Sequence, residues 1–386
     1  MAKTGNLLIR GGTVIDPARD IHGQRDVLIR GNSFVDIMPG EDIEAEETVD
    51  ATGSLVMPGL IDNHLHCFYG GTELGLVPDP SLLPMGITCA VDQGSSGIAN
   101  CDSFMQTVVN GSQMRIFCTV NVSPTGIITE RYPENLDPKN YSLERLRELF
   151  QRYPERLVGL KVRQGREMVG ELGLSPLKAA VELGNELGCR VTVHAADAPG
   201  DVADLVSILR AGDVLCHCYH GKGSTIIDRN GKVRSEVRAA RANGVIFDSA
   251  DARIHHSYPV IEAALADGFF PDVISTDLTR TSLFGNMVFG LPAVMSKYLS
   301  LGLSLPQVVK ACTATPAGLI GMAGKLGTLA AGAFADVAIF RLTEKAFLFK
   351  NRLGESFRGS KLLIPQMTIL NGKIMFRQID FFQAGG

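Results

Sequence analysis

The chain has 386 residues, of which 45% are hydrophobic and 20% are charged, so it can bury a sizeable core and is not a disordered protein. Its 37 basic and 41 acidic side chains give a formal charge of −4, which excludes the basic excess typical of proteins that bind nucleic acid or anionic membranes. The eight cysteines are scattered, residues 1–9 lack the apolar stretch of a secretory signal, and no apolar run is long enough to span a membrane. We therefore expect a soluble, cytoplasmic protein with reduced thiols.

Both ends of the chain are predicted to form short strands. Apolar stretches near the start are interrupted by a Gly-Gly pair at 11–12, and those near the end by an Asn-Gly pair at 371–372. Such interruptions are typical of β-hairpins. We expect residues 1–57 and 326–386 to build one small β-sandwich domain together.

The middle of the chain alternates short apolar strands with helical stretches such as 142–153 and 175–187. The predicted strands are 59–64, 87–92, 115–120, 157–162, 190–194, 214–217, 245–248 and 273–277. Eight such units in about 270 residues match a (β/α)8 barrel, although a doubly wound sheet has the same alternation. The prediction is an α/β fold with a (β/α)8 barrel at residues 58–325.

Several predicted strands end in side chains that can bind metal ions: His64 and His66, Lys161, His194, His217 and Asp277. His64 and His66 lie two residues apart and therefore share one face of a strand. The carboxyl ends of barrel strands meet at one mouth, and imidazoles with a carboxylate suit zinc-like ions. Taken singly, each histidine could be an ordinary buried residue, and Lys161 could simply pair with Asp277. Only a shared position at the mouth favours a metal site.

The ordered motifs resemble the amidohydrolase superfamily, and within it a dihydroorotase-like amidohydrolase/deacetylase subgroup. The motifs are VMPGLIDNHLH at 56–66, GITCAVD at 86–92, GLKVR at 159–163, VTVHA at 191–195, VISTD at 273–277 and GTLAAGAFAD at 327–336. The resemblance covers essentially the whole chain. It implies a distorted (β/α)8 TIM barrel beside a β-sandwich made from both termini.

The resemblance also implies two divalent metal ions, Zn or Mn, as cofactors. The implied ligands are His64, His66 and Asp277 for the more buried ion and His194 and His217 for the more exposed one. Lys161 would bridge the two ions as a carbamate formed with carbon dioxide. Burial favours the neutral amine that this reaction needs, and the ions offset the charge of the carbamate.

This ligand set implies hydrolysis at a carbonyl group. Two ions about 3.5–4 Å apart would share a water and lower its pKa, so that a bridging hydroxide attacks the substrate. Asp277 would take the proton and pass it to the leaving nitrogen. We expect an amide or ester of a small metabolite to be the substrate, and the complete ligand set argues against a non-catalytic scaffold.

The choice of substrate depends on the residues near the mouth. Dihydroorotases usually carry an arginine two places after the second histidine, where this chain has Phe68. The resemblance therefore favours deacetylation of a small acidic metabolite, with cyclic amide hydrolysis or deamination as the alternatives. Candidate carboxylate-binding residues are Arg163, His220 and Arg253.

Other residues near the predicted ligands are expected to have no catalytic part. His255 and His256 are expected to be surface loop residues, and Cys216 and Cys218 to be buried thiols that face away from His217. The expected partner is a small-molecule substrate, with no nucleic acid or membrane. Members of the family are often dimers or larger, so a homo-oligomer is compatible with the sequence.

Overall fold

A computed structural model describes residues 3–38, 40–252, 254–284 and 290–381. The strands are β1 Lys3–Arg10, β2 Thr13–Asp16, β3 Ile21–Gln24, β4 Val27–Arg30, β5 Ser33–Val35, β6 Ile43–Asp50, β7 Leu55–Pro58, β8 Leu60–Leu65, β9 Ile87–Gly97, β10 Arg115–Asn121, β11 Leu157–Arg163, β12 Arg190–His194, β13 Val214–Cys216, β14 Ile246–Asp248, β15 Val337–Lys350, β16 Ser356–Leu370 and β17 Lys373–Arg377.

The helices lie mainly between the strands of the middle segment. They are α1 Pro78–Leu82, α2 Cys101–Phe104, α3 Leu143–Arg152, α4 Arg166–Val169, α5 Ser175–Leu187, α6 Val202–Ile208, α7 Ser235–Ala242, α8 Tyr258–Ala266, α9 Arg280–Leu283, α10 Leu291–Ser300, α11 Leu305–Cys312 and α12 Ala314–Leu319. Among the described residues, none of these helices is both long and apolar enough to cross a lipid bilayer.

Strands β8 to β14 form a curled parallel sheet in which the order in space follows the order in the chain. Residues 273–278 close it, with parallel bridges from Val273 to Asp248 of β14 and from Leu278 to Leu65 of β8. The sheet strands are buried on both faces, which explains their apolar sequences. The predicted TIM-barrel fold is confirmed, although the eighth predicted strand is an extended, bridged segment.

The two ends of the chain form two further sheets. One has the strand order β5-β4-β1-β6 and the other the order β17-β16-β15-β7-β2-β3. Apolar side chains from both sheets share one core, for example Ile9 and Ile29 from the first and Val56 and Ile339 from the second. This packing agrees with a β-sandwich built from both termini, while the domain boundaries stay a prediction.

The two glycine-containing pairs have different structures. Asn371 and Gly372 both have positive φ and join β16 to β17 in an antiparallel hairpin, as predicted. The hairpin predicted at Gly11 and Gly12 is wrong, because β1 and β2 belong to different sheets. A Cβ atom at Gly12 would lie 2.5 Å from a methyl group of Val56, so the glycine permits the close crossing between sheets.

The hairpin of β15 and β16 extends well beyond the sandwich. Its strands of 14 and 15 residues span about 45 Å. At its tip, Asn351 Nδ2 donates a 3.0 Å hydrogen bond to the carbonyl of His256, and Glu355 accepts one from the Ser257 hydroxyl at 2.9 Å. The tip of the hairpin is therefore fixed to the loop that follows β14.

Candidate metal centre and active site

The six side chains predicted as ligands lie together at the mouth of the barrel. They are His64 and His66 at the end of β8, Lys161 in β11, His194 at the end of β12, His217 after β13 and Asp277 in the closing segment. All are buried, and all except His217 line one cavity at the mouth. Residues up to 213 positions apart in the chain thus form one cluster.

Asp277 lies at the centre of this cluster. Its Oδ1 atom is 3.1 Å from His66 Nε2 and 3.5 Å from His64 Nε2, and its Oδ2 atom is 3.8 Å from His217 Nε2. Asp277 has a φ of 51°, a left-handed conformation uncommon outside glycine, and its backbone N–H donates to the His64 carbonyl at 2.7 Å. Backbone strain of this kind is typical of functional sites.

The orientation of His66 is set by a chain of hydrogen bonds. Its Nδ1 atom lies 2.9 Å from the Ser95 hydroxyl, which donates to Asp92 at 2.8 Å. Asp92 also accepts the backbone N–H of Cys67 at 2.7 Å. Such partners on the second ring nitrogen leave Nε2 directed at the cluster, as in metal-binding histidines.

His217 has a comparable arrangement. Its Nδ1 donates to the Ala250 carbonyl at 2.6 Å, which leaves Nε2 as the nitrogen with a free lone pair. That Nε2 atom is buried and has no hydrogen-bond partner among the described residues. Burial lowers the pKa of His64, His194 and His217, so these imidazoles are neutral near pH 7.

Lys161 is one of the largest fully buried side chains. Its Nζ atom lies 3.2 Å from His64 Nε2, and no carboxylate among the described residues lies within 4.0 Å. Burial lowers the pKa of Lys161, which favours the neutral amine. The simple ion pair with Asp277 is therefore not seen, and the environment suits the amine that carbamate formation requires.

Two further acids lie beneath the cluster, and they were not singled out from the sequence. Asp62 accepts from the Thr276 hydroxyl at 2.6 Å, and Asp248 accepts from Ser275 at 2.6 Å. Burial raises the pKa of Asp62 to about 7 and that of Asp248 to about 6. Both acids accept hydrogen bonds from the closing segment, which carries Asp277, so they fix that segment to the barrel.

The sequence predicts that Cys216 faces away from His217, but the structure places its thiol inside the site. Its thiol lies with His64 and Asp248 in a group whose donor atoms are within 4.8 Å of one another, so it faces the interior of the site. The predicted alternation fails because β13 ends at Cys216 and His217 has a φ of 60°. Burial raises the pKa of Cys216, so it remains a protonated thiol.

The rim of the cavity carries two arginines. Arg163, a predicted substrate contact, pairs through Nη1 with Glu134 Oε1 at 2.5 Å. Arg352, at the exposed tip of the β15–β16 hairpin, also lines the cavity and has no ion-pair partner among the described residues. Arg352 was missed from the sequence because nothing local indicates where a hairpin tip lies.

The other predicted substrate contacts are placed differently. His220 is buried outside the cavity lining, and burial lowers its pKa to about 4, so it carries no charge near pH 7. Arg253 lies outside the described residues. Of the two predicted substrate contacts that the structure describes, Arg163 lines the cavity and His220 does not.

The surface positions predicted for His255 and His256 are wrong. His255 is half-buried and lines the cavity, with its ring centroid 4.3 Å from that of His217. His256 is buried, and its Nδ1 lies 2.9 Å from Asp251. The loop after β14 folds back over the mouth, because the β15–β16 hairpin and the closing segment both hold it there.

The donor atoms fit divalent metal ions. His64, His217 and Asp277 form one group with ligand atoms within 4.8 Å of one another, and His194 and His217 belong to a second. No described residue donates a hydrogen bond to the buried Nε2 atom of His217. A bound cation would give its lone pair a partner. Neutral imidazoles and a carboxylate are the donors that zinc and manganese bind.

A (β/α)8 barrel with these side chains at its mouth defines a metal-dependent hydrolase acting on carbon–nitrogen bonds. The amidohydrolase family model matches residues 55–375, and the chain belongs to the amidohydrolase family.

Relatives and solved structures agree with this assignment. A deacetylase of Agrobacterium fabrum is 31% identical over 353 residues, covering 90% of this chain and 86% of that protein. A dihydroorotase of Geobacter metallireducens is 25% identical and covers 97% of this chain and 100% of its own length. A crystal structure of an adenine deaminase has a TM-score of 0.89 and 26% identity, with 97% of this chain and 100% of that chain covered. A crystal structure of a dihydroorotase has a TM-score of 0.83 and 28% identity, with 95% of this chain and 97% of that chain covered.

Proposed function

We propose that this protein is a binuclear, zinc- or manganese-dependent deacetylase that removes an acyl group from a small, acidic metabolite. The observation that carries the proposal is one cavity lined by His64, His66, Lys161, His194 and Asp277, with arginines on its rim. Similarity to the Agrobacterium deacetylase at 31% identity supports deacylation over the cyclic amide hydrolysis of dihydroorotases.

The chain's own residues would perform the following steps. His64, His66 and Asp277 would hold one ion, His194 and His217 the other, and carboxylated Lys161 would lie between them. When bound, the ions lower the pKa of water and polarise a carbonyl group. Asp277 would accept the proton of the attacking water on a carboxylate oxygen and then deliver it to the leaving nitrogen or oxygen. The hydrogen bond that His66 Nδ1 donates to the Ser95 hydroxyl, which itself donates to Asp92, keeps His66 oriented throughout.

The rim of the cavity supports an anionic substrate. Phe68 is buried and packs on Phe104 with ring centroids 4.7 Å apart, so the position used for an arginine in dihydroorotases contributes no charge here. The guanidinium of Arg352 is exposed at the mouth and free to bind a carboxylate in a bidentate manner. Arg163 would contribute less, because Glu134 already neutralises it.

Replacing Arg352 is expected to weaken the binding of acidic substrates. Arg352→Met should raise KM for an N-acetyl acid by at least about tenfold and change kcat little, since one charge-assisted hydrogen bond is worth about 1.5–3 kcal/mol. Steady-state kinetics on the acid and its neutral amide would measure this. Arg358→Met removes another exposed arginine of the same hairpin and serves as the control. Equal KM values for Arg352→Met and the parent would exclude Arg352 from substrate binding.

A substrate screen tests the proposed function itself. The zinc- and manganese-loaded protein should hydrolyse N-acetyl and O-acetyl hydroxy or amino acids, with little turnover of dihydroorotate, hydantoins or adenine. Preferential turnover of a cyclic amide or of adenine would replace deacetylation by one of the alternatives.

A further inference from the structure

The loop after β14 places a fifth histidine beside two of the proposed ligands. The ring centroid of His255 lies 4.8 Å from that of His194 and 4.3 Å from that of His217. The nitrogen atoms that these three imidazoles offer all lie within 4.8 Å of one another. Five of the eight histidines of the chain therefore meet at the mouth of the barrel.

The position of His255 follows from a loop that is held on several sides. Ala250 and Ala252 have φ values of 38° and 47°, a left-handed conformation that costs free energy in residues other than glycine. The N–H of Ala252 donates to the Thr276 carbonyl at 2.8 Å, so the loop runs beside the segment that carries Asp277.

The neighbouring residue, His256, points the other way. It pairs with Asp251, which also contacts the ammonium group of Lys297, and all three side chains are buried. Its carbonyl accepts from Asn351 of the hairpin tip. Since His256 is fixed in this buried network, the adjacent His255 is directed towards the cavity.

We propose that His255 is a third imidazole ligand of the more exposed metal ion, together with His194 and His217. The inference rests on the proposed function, because it assumes that His194 and His217 bind that ion. With the carbamate of Lys161 shared between the ions, the more exposed ion would then have four protein donors, and a catalytic zinc ion that expands to five ligands still has one position for water or substrate. A ligand held in place by the surrounding loop would strengthen binding of the second ion without a large ordering cost.

Metal binding by matched variants tests the proposal. The parent, His255→Ala and Ile254→Ala are each loaded with zinc and titrated against a chelator, with circular dichroism as the check on folding. Ile254 lies in the same loop and lines the cavity but offers no donor atom. We expect the parent and Ile254→Ala to bind two ions alike. His255→Ala should keep the first and lose affinity for the second by about tenfold or more.

Two further measurements separate a ligand from a substrate contact. His255→Asp should restore much of the affinity for the second ion, because a carboxylate is also a zinc ligand. The visible absorption of the cobalt-loaded protein should change in His255→Ala and stay unchanged in Ile254→Ala.

Unchanged affinities and an unchanged cobalt spectrum in His255→Ala would overturn the proposal, even if KM rose. If the parent bound no ion, the proposed function would fail, and this inference with it. If the parent bound two ions and His255→Ala bound them equally well, only this inference would fail.

Discussion

Asp277→Asn is expected to lower kcat by about 10²–10⁴-fold while the protein remains folded. The amide keeps the shape of the side chain but cannot accept a proton from water. In the structure the carboxylate lies 3.1 Å from His66 and 3.5 Å from His64, at the centre of the proposed ligands. Steady-state kinetics on the best acetylated substrate, with metal analysis of each preparation, would measure the loss.

A matched control removes a carboxylate that lines the same cavity. Glu130→Gln changes an exposed acid at the rim that touches none of the proposed ligands, so its activity should stay near that of the parent. Activity of Asp277→Asn within a few-fold of the parent would remove Asp277 as the proton carrier. If both variants lost the same amount of activity, the net charge of the cavity would explain the loss, and proton transfer by Asp277 would not.

Lys161→Met is expected to abolish activity and lower the metal content without destabilising the metal-free protein. Methionine is unbranched, apolar and of similar length, so it suits a fully buried position. Because the Lys161 amine has no carboxylate partner among the described residues, its removal leaves no buried carboxylate unpaired. Metal analysis, activity and urea unfolding of the metal-free protein together measure the effect.

Lys297 is the natural comparison, because it is the other buried lysine of the described chain and contacts Asp251. Burial lowers the pKa of Lys297 to about 7. Lys297→Met would take the ammonium group away from Asp251 and leave this buried acid with His256 as its remaining partner, which should cost about 3–5 kcal/mol of unfolding free energy. If Lys161→Met were instead the less stable of the two, Lys161 would be a structural residue.

The barrel could be predicted largely from the sequence, because strands buried on both faces leave uninterrupted apolar runs. The predicted strand 190–194 coincides with β12, and the predicted helix 175–187 coincides with α5. The six candidate ligands could be singled out because charged and polar residues at the ends of such strands conflict with their burial, and the structure brings these side chains together.

The residues that the sequence did not reveal depend on long-range contacts. His255 reaches the cavity because its loop is held by Thr276 of the closing segment and by Asn351 and Glu355, almost 100 positions later. Arg352 reaches the rim because the hairpin is long enough to leave the sandwich, a distance that no local pattern specifies. The partnership of Arg163 with Glu134 depends likewise on a loop whose path is set by tertiary packing.

The central claim is that six side chains from five separate strand segments of the barrel bind two divalent ions. Elemental analysis of the full chain, purified and then loaded with zinc or manganese, tests it most directly. About two equivalents per chain in the parent, and clearly less in Lys161→Met, would agree with the claim. A parent protein that retained no zinc or manganese under any loading condition would contradict it.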